Sequence, residues 1–247
     1  MNPILAVRDL RINFGGVVAA SGIDLDVYPH EIIAIIGANG SGKTTFLNLC
    51  TGYIHPTSGT VTFEGKVITE LPPRSITRQG VARAFQIPQL FGGHSVLENV
   101  TLAVAARHGL WDVMRPLMRR RYREEAHGIL DLLALDDIAD WLTSTLPEGK
   151  RKLTDIAIAL AIKPRLLLLD EPTAGVSTAE KIPLMDNIIG VLRAEKITAL
   201  FVEHDMDVVE RYADRVLVWD SGRVAAEGPP HQVLHRADVL ERIIGVG

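Results

Sequence analysis

The chain has 247 residues, and 47% of them are hydrophobic, which is enough to fill the core of one large or two small domains. Its formal net charge of −4 gives no electrostatic preference for nucleic acid. Its single cysteine, Cys50, excludes an intramolecular disulfide and is expected to be a small core residue in a reducing compartment. The chain shows neither a secretory signal nor an apolar run of roughly 20 residues, so membrane association is expected only through its surface or a partner.

Residues 1 to about 86 are predicted to form short strands and turns. Apolar residues within 5–10 precede a Gly15-Gly16 turn, and residues 23–27 then alternate between apolar and polar, which is the period of a strand. Residues 60–63 form another short apolar segment bracketed by glycines. This part of the chain is therefore expected to be rich in β-structure.

A glycine-rich segment follows the apolar run at 32–36, which is predicted to be a buried strand. Residues 37–44 fit the pattern G-x-x-x-x-G-K-[ST], a loop that wraps the phosphates of a nucleotide. Its glycines permit close backbone approach, and its N–H groups can form an anion-binding nest at a helix N-terminus. Lys43 is predicted to place its charge at the β- and γ-phosphates, and the Thr44 hydroxyl to ligate Mg²⁺.

Residues from about 87 to 164 are predicted to be mainly helical. Residues 96–107 have apolar groups at helical spacing, and residues 119–133 are charged early and apolar late. Prolines punctuate the region, where a helix is not expected to continue unbroken. The basic run at 115–123 favours a solvated helix face, and the alternative is contact with anionic headgroups or with the loops of a membrane subunit.

Residues 165–247 return to an alternation of strands and helices. The predicted strands are 166–169, 199–202 and 216–219, and the predicted helices are 178–194 and 206–212. This alternation is typical of an α/β fold with a parallel sheet covered on both faces. No internal repeat, low-complexity tract or long linker separates the chain into independent parts.

Polar side chains follow the predicted strands, where they would meet at the ligand-binding edge of a parallel sheet. Asp170 and Glu171 end the run 166–169, so Asp170 is predicted to hold Mg²⁺ and Glu171 to act as a general base or to orient water. His204 follows another apolar strand and could bond the γ-phosphate. Gln86 could contact the metal and the attacking water, an assignment that depends on the other residues.

Together these motifs resemble the ATP-binding subunits of ABC transporters over essentially all 247 residues. The resemblance implies a P-loop NTPase (RecA-like) core, residues 1–86 and 165–247, with an antiparallel β subdomain, and an inserted helical subdomain, residues 87–164. It implies that Phe14 stacks on adenine and that Gly149 contacts the nucleotide of a facing subunit. The nucleotide-binding residues would also include Gly37, Ala38, Asn39, Gly40, Ser41, Gly42, Lys43, Thr44 and Thr45. The catalytic residues would be Glu171, His204, Gln86 and Lys43, and the metal ligands Thr44, Gln86 and Asp170.

Two loops depart from the family pattern. The signature loop, usually Leu-Ser-Gly-Gly-Gln, is matched by residues 146–150, where Pro147 replaces the serine and Glu148 adds a negative charge. A neutral hydrogen bond contributes only about 0.5–1.5 kcal/mol, so its loss need not abolish the site if Lys150 compensates. Ser177 stands where the family usually has an aspartate that helps to couple two subunits.

Within the family, the chain resembles the ATPases of branched-chain amino acid, amide and urea importers. The residues that carry this likeness include Phe14-Gly-Gly, Ala82-Arg-Ala-Phe-Gln86, Val96-Leu-Glu-Asn99, Ala226-Glu-Gly-Pro and Ile243-Ile-Gly245. The resemblance implies ATP and Mg²⁺ as cofactors and a peripheral position on the cytoplasmic side of the membrane. The implied partners are transmembrane permease subunits, a second ABC ATPase and, indirectly, a solute-binding protein, and not nucleic acid.

Other interpretations stay open at the level of sequence. A soluble ATPase of cytoplasmic assembly, such as iron–sulfur cluster biogenesis, shares every catalytic motif. A repair or chromosome ATPase would separate its two nucleotide motifs by a long coiled coil, whereas no heptads lie between Lys43 and Asp170. A regulatory subunit with little turnover would account for the altered signature loop, although Glu171 and His204 argue against it.

Overall fold

Two β-sheets organise the computed structural model, which describes residues 2–109 and 119–239. The strands are β1 (Leu5–Phe14), β2 (Val17–Val27), β3 (Ile32–Ile36), β4 (Ser58–Phe63), β5 (Lys66–Val67), β6 (Val81–Ala84), β7 (Leu166–Asp170), β8 (Thr198–Val202), β9 (Arg215–Asp220) and β10 (Arg223–Gly228). The smaller sheet is antiparallel, with the order β2-β1-β4-β5. The larger sheet has the order β10-β9-β3-β8-β7-β6, and all of its pairings are parallel except that of β9 with β10.

Helices connect these strands and cover the larger sheet. They are α1 (Lys43–Cys50), α2 (Pro73–Arg78), α3 (Val96–Arg107), α4 (Arg120–Leu132), α5 (Glu148–Ala161), α6 (Thr178–Ala194), α7 (Met206–Tyr212) and α8 (Pro230–Val233). In the ranges 2–109 and 119–239, no helix has the length and apolar character needed to cross a bilayer.

The central strand β3 shows how the sequence divides the core between two faces. Ile33 and Ile35 pack with the antiparallel sheet and α1, whereas Ile32, Ala34 and Ile36 pack with helices α3 to α7. Successive side chains of a strand point to opposite faces, so an entirely apolar strand must be covered on both. The fully apolar strands of the sequence are therefore the ones at the centre of the larger sheet.

The predicted helices agree closely with the observed ones. The helix predicted at 96–107 has these bounds, and its start is fixed by a capping box in which Ser95 and Glu98 exchange side-chain-to-backbone bonds. The helix predicted at 119–133 runs from Arg120 to Leu132. Cys50 is fully buried at the end of α1, where burial raises the pKa of its thiol.

Other parts of the fold differ from the prediction. Residues 134–147 contain only the short 3-10 turns Asp136–Ile138 and Thr143–Thr145, so the region 87–164 is not helical throughout. The antiparallel edge strand β10 has no counterpart among the predicted strands, because its apolar residues, Val224, Ala225 and Ala226, do not alternate with polar ones and include two alanines, which are depleted in strands. The proposed boundaries of the helical subdomain at 87 and 164 stay a prediction.

The basic run at 115–123 lies only partly within the described residues, since residues 115–118 fall outside them. In the described part, Arg120 pairs with Glu124 one turn along the exposed face of α4. The guanidinium of Arg121 lies 4.7 Å from the ring centroid of Tyr122, and that of Arg119 lies 5.7 Å from the same ring. These arginines therefore have local partners on their own helix. The tail residues 243–245 also lie outside the described residues.

Glu125 on α4 forms ion pairs with residues of α3 and of the segment just after α5. Its Oε1 accepts from Arg107 on α3 at 2.6 Å and from Lys163, just beyond α5, at 3.0 Å, and its Oε2 lies 3.3 Å from His108. Burial by itself would raise the pKa of Glu125, but hydrogen bonds from Arg107, Lys163 and His108 outweigh it and lower the pKa to about 2.

We expect Glu125→Gln to lower the free energy of unfolding by about 1–2 kcal/mol near neutral pH. Because the folded pKa is depressed, the stabilising contribution is present above the usual value of 4.5 and is lost as pH falls through about 2. Urea denaturation of both proteins across this range measures the difference, which should shrink with acid. A difference that stays constant down to pH 2 would contradict this role for Glu125.

Candidate functional site

The glycine-rich loop joins the carboxyl end of β3 to the first turn of α1. A Cβ on Gly37 would lie 2.2 Å from the carbonyl oxygen of Trp219, and one on Gly42 would lie 2.3 Å from that of Ala19. Both residues also have positive φ angles, so neither position accepts a side chain without a shift of the backbone. No described side chain caps α1, so its first N–H groups can bind an anion.

Lys43 lies buried across this loop. Its Nζ donates to the carbonyl oxygens of Gly37 at 2.7 Å and Ala38 at 2.8 Å. Burial lowers the pKa of Lys43, and the charges of Glu171 and Asp170 oppose that shift. The ammonium is thus held within the loop by weak backbone acceptors, which phosphate oxygens can replace with stronger charge-assisted bonds.

Asp170 ends β7 and is only 3% exposed. Its Oδ2 accepts from Arg83 at 2.7 Å, and the same guanidinium donates to Asn48 Oδ1 on α1 at 2.5 Å. Asp170 Oδ1 is buried and has no hydrogen-bond partner among the described residues. That oxygen is an available acceptor at the sheet edge, which fits the predicted role in holding Mg²⁺.

The other residues predicted to hold Mg²⁺ fit the same interpretation. Thr44 follows Lys43 in the first turn of α1 with an exposed hydroxyl side chain, and Gln86 is also exposed. Within the described ranges, no group of three His, Cys, Asp or Glu side chains could hold a metal by itself. Mg²⁺ in nucleotide sites is usually held by one or two carboxylates together with substrate phosphates and water, so this donor set is suitable.

Glu171 meets two other predicted catalytic residues directly. Gln86 Nε2 donates to Glu171 Oε2 at 2.8 Å, and His204 Nε2 lies 3.2 Å from Glu171 Oε1. They converge because β6, β7 and β8 run parallel and end at one edge, just before Gln86, Glu171 and His204 respectively. A cleft of about 610 Å³ opens beside Glu171 and His204, with Gly175 and Lys181 on its wall.

Two predicted nucleotide contacts lie on other elements. Phe14 ends β1 with 52% of its surface exposed, so it does not pack inward and its ring is available for stacking. Gly149 lies in the first turn of α5, which starts after Pro147 with no side-chain cap from the described residues. Both assignments, which need a bound nucleotide or a facing subunit, stay predictions.

The altered signature loop and Ser177 contact neighbouring segments of the chain. Lys150 Nζ donates to the carbonyl oxygen of Ala134 at 3.3 Å, and its compensation for the missing serine, which needs a facing subunit, stays a prediction. Glu148 lies beside Gly175, whose added Cβ would be 3.4 Å from Glu148 Cγ. Ser177 Oγ donates to Glu180 Oε2 at 2.5 Å.

Three polar residues of the site were not predicted. Arg83 pairs with Asp170, while Lys152 and Asp155 on α5 bond to backbone groups of the Gln86 and Glu171 segments. The signal in the sequence is two charged residues, Lys152 and Asp155, on the face of α5 that carries apolar Ile156 and Ala159. Such a pattern does not reveal which backbone groups the charges will meet.

Comparison with known proteins agrees with this arrangement. The family profile described as ABC transporter matches residues 20–174. The high-affinity branched-chain amino acid transport ATP-binding protein LivG of Escherichia coli is 35% identical over 98% of each chain. Its counterpart BraF of Pseudomonas aeruginosa is 36% identical, again over 98% of each chain.

A solved structure agrees as well. The ADP conformation of MJ1267, an ATP-binding cassette of an ABC transporter, superposes with a TM-score of 0.86 at 31% identity, covering 99% of this chain and all of that one. The likeness thus extends over the nucleotide loop, both sheets and the helical region. The chain belongs to the ATP-binding subunits of ABC transporters and is an ATPase of the P-loop α/β fold.

Proposed function

We propose that the chain is the ATP-hydrolysing subunit of an importer for branched-chain amino acids or a related small amide. The observation that carries the chemistry is the contact of Glu171 with both Gln86 and His204 at the sheet edge that carries the phosphate loop. The transported solute is proposed from LivG and BraF, which are named as branched-chain amino acid transport proteins.

Each residue of the site has a proposed role. The loop N–H groups and Lys43 bind the β- and γ-phosphates, and Phe14 stacks on adenine. Thr44, Gln86 and Asp170 hold Mg²⁺, which neutralises phosphate charge when bound. Glu171 orients the attacking water, Gln86 holds that carboxylate in place, and His204 can turn its imidazole N–H toward the γ-phosphate.

A complete site is proposed to need a second ATPase subunit. Gly149 and the N-terminus of α5 would face the nucleotide of that subunit, and the partner's equivalent loop would complete the site of this chain. Pro147 and Glu148 weaken what this chain supplies, whereas the residues of its own site are intact. If the partner is a different ATPase with a usual signature loop, the site built on Lys43 is the more active of the two.

We propose transmembrane permease subunits as the partners that place the chain at the cytoplasmic face of the membrane, with a solute-binding protein acting through them. Full-length similarity to LivG supports this over an ATPase of cytoplasmic assembly. The low-turnover regulatory alternative is disfavoured by the Gln86–Glu171–His204 contacts, which a chain without turnover does not need. We propose no contact with nucleic acid.

The test is co-purification of tagged Glu171→Gln from its own host in detergent with Mg-ATP present. Slow turnover should preserve the closed pair of ATPases and weak partners, and mass spectrometry then identifies what is bound. We expect multi-span membrane proteins to co-purify. The stoichiometry of any second ATPase then shows whether the two sites differ. Recovery of soluble proteins alone would refute the importer assignment.

A further inference from the structure

One side chain of helix α5, that of Lys152, bonds to the backbone of two catalytic residues, Gln86 and Glu171. Lys152 Nζ donates to the carbonyl oxygen of Gln86 at 3.1 Å and to that of Glu171 at 2.8 Å. The side chain is buried, with Lys152 only 3% exposed. The side chains of the same two residues also bond to each other, from Gln86 Nε2 to Glu171 Oε2.

Asp155, one turn further along α5, secures the same loop at two more points. Its Oδ2 accepts from the backbone N–H of Phe85 at 2.9 Å, and its Oδ1 accepts from that of Gln89 at 3.1 Å. The backbone on both sides of Gln86 is thereby fixed to α5, and Lys152 adds the connection to Glu171. Lys152 is the only described residue whose side chain bonds both segments.

The backbone of Glu171 gives a reason for such a support. Glu171 has a φ of +51°, a left-handed conformation that a residue with a side chain rarely adopts. Conformations of this kind persist where surrounding contacts fix them. The Glu171 N–H bonds to the carbonyl oxygen of Val202, and Lys152 bonds to the Glu171 carbonyl, so both backbone groups are held.

A cation is also suited to this position electrostatically. Burial lowers the pKa of Lys152, while Glu148, Glu203, Glu171 and Asp155 surround it and favour its charged form. A neutral residue here would remove the buried positive charge that lies among these carboxylates.

We propose that Lys152 is a positioning residue for ATP hydrolysis, which holds the Gln86 and Glu171 carbonyls in register so that their side chains meet at the attacking water. This inference rests on the proposed function. Lys152 lies one turn after Gly149, so one helix carries both the support of the catalytic pair and the residue proposed to face a partner's nucleotide.

The test is steady-state phosphate release by the complete complex carrying Lys152→Met. We expect kcat to fall about tenfold to a hundredfold, because misplacement of a catalytic group by about 1 Å has effects of this size. The KM for ATP should change by less than about threefold, since Lys152 does not contact the nucleotide-binding loop. Lys66→Met, on the exposed strand β5, is the matched control and should keep the wild-type rate.

Two further variants separate positioning from general stability. Lys152→Arg keeps the charge and several donors and is expected to recover most of the rate, whereas Lys152→Gln should not, because its amide is shorter and neutral. Hydrogen exchange should quicken at 83–90 and 170–174 in Lys152→Gln and stay unchanged in the antiparallel sheet. If Lys152→Met fails to fold, this Arg–Gln pair decides the outcome.

A wild-type rate in Lys152→Gln, or equal loss in the Arg and Gln variants with faster exchange throughout the chain, would overturn the positioning role. Failure of the proposed function gives a different pattern, in which the wild-type complex itself does not release phosphate. An active wild-type complex with unaffected Lys152 variants would therefore remove this inference and leave the ATPase assignment intact.

Discussion

Replacing Glu171 with glutamine is expected to lower kcat for ATP hydrolysis by about 10²–10⁴-fold. Glutamine keeps the size of the side chain and can still bond to Gln86 and His204, but it has no negative charge to orient and polarise the attacking water. Because Glu171 lies at the sheet edge and not in the phosphate loop, ATP affinity should stay within about threefold of wild type. Phosphate release and nucleotide titration measure the two quantities separately.

Glu210→Gln is the control for this substitution. Glu210 lies on the exposed face of α7, where its only described ion pair is with His235 at 3.6 Å, so removing its charge should leave turnover unchanged. Turnover of Glu171→Gln equal to that of wild type would remove Glu171 from the catalytic role. A parallel loss in ATP affinity would instead assign it to nucleotide binding.

Lys43→Ala is expected to weaken ATP binding by about 3 kcal/mol, or about 100-fold, through loss of charge-assisted bonds to the phosphates. The ligand-free protein also loses the bonds from Nζ to the Gly37 and Ala38 carbonyls, so its melting temperature should fall slightly. Calorimetric titration with Mg-ATP measures the affinity, and thermal unfolding without nucleotide measures the structural effect.

Lys66→Ala provides the comparison, because that lysine is exposed on β5 and lies outside the nucleotide loop. It should bind ATP as wild type does. Normal affinity in Lys43→Ala would count against the whole phosphate-loop assignment. Loss of affinity together with loss of folded structure would show that the lysine acts first on the loop, and Lys43→Arg would then distinguish the two effects by retaining the charge.

The sequence predicts the central strands and the residues at their ends because both signals are local. Runs such as 166–169 are apolar throughout, so they predict strands buried on both faces, and Asp170 and Glu171 follow directly. Parallel pairing then brings Gln86, Glu171 and His204 together, as the observed distances confirm. The capping box at the start of α3 is also local, since Ser95 and Glu98 are three residues apart, but it was not among the predictions.

Other parts of the site depend on contacts between distant segments. Arg83 meets Asp170 across β6 and β7, and Lys152 meets carbonyls 66 and 19 residues away along the chain. No spacing rule predicts which backbone carbonyl a lysine will reach. The edge strand β10 was missed for a different reason, because its segment Val224-Ala-Ala226 does not alternate with polar residues and is rich in alanine, which is depleted in strands.

The altered signature loop differs from the family pattern in charge as well as in hydrogen bonding. Lys150 Nζ bonds to the Ala134 carbonyl, and compensation by Lys150 for the missing serine in a facing site stays a prediction. Glu148 lies against Gly175 and places a carboxylate in the first turn of α5. We therefore expect the chain to be a stronger catalyst in its own site than a contributor to its partner's site.

Coupling of ATP hydrolysis at Glu171 to the import of a small solute is measured in a reconstituted transporter. The complete complex, purified from its host and reconstituted in liposomes with its solute-binding protein, is assayed for phosphate release with and without branched-chain amino acids. We expect Mg²⁺-dependent release that the amino acids stimulate and that Glu171→Gln abolishes. Phosphate release that is the same with and without these solutes, or that persists in Glu171→Gln, would contradict it.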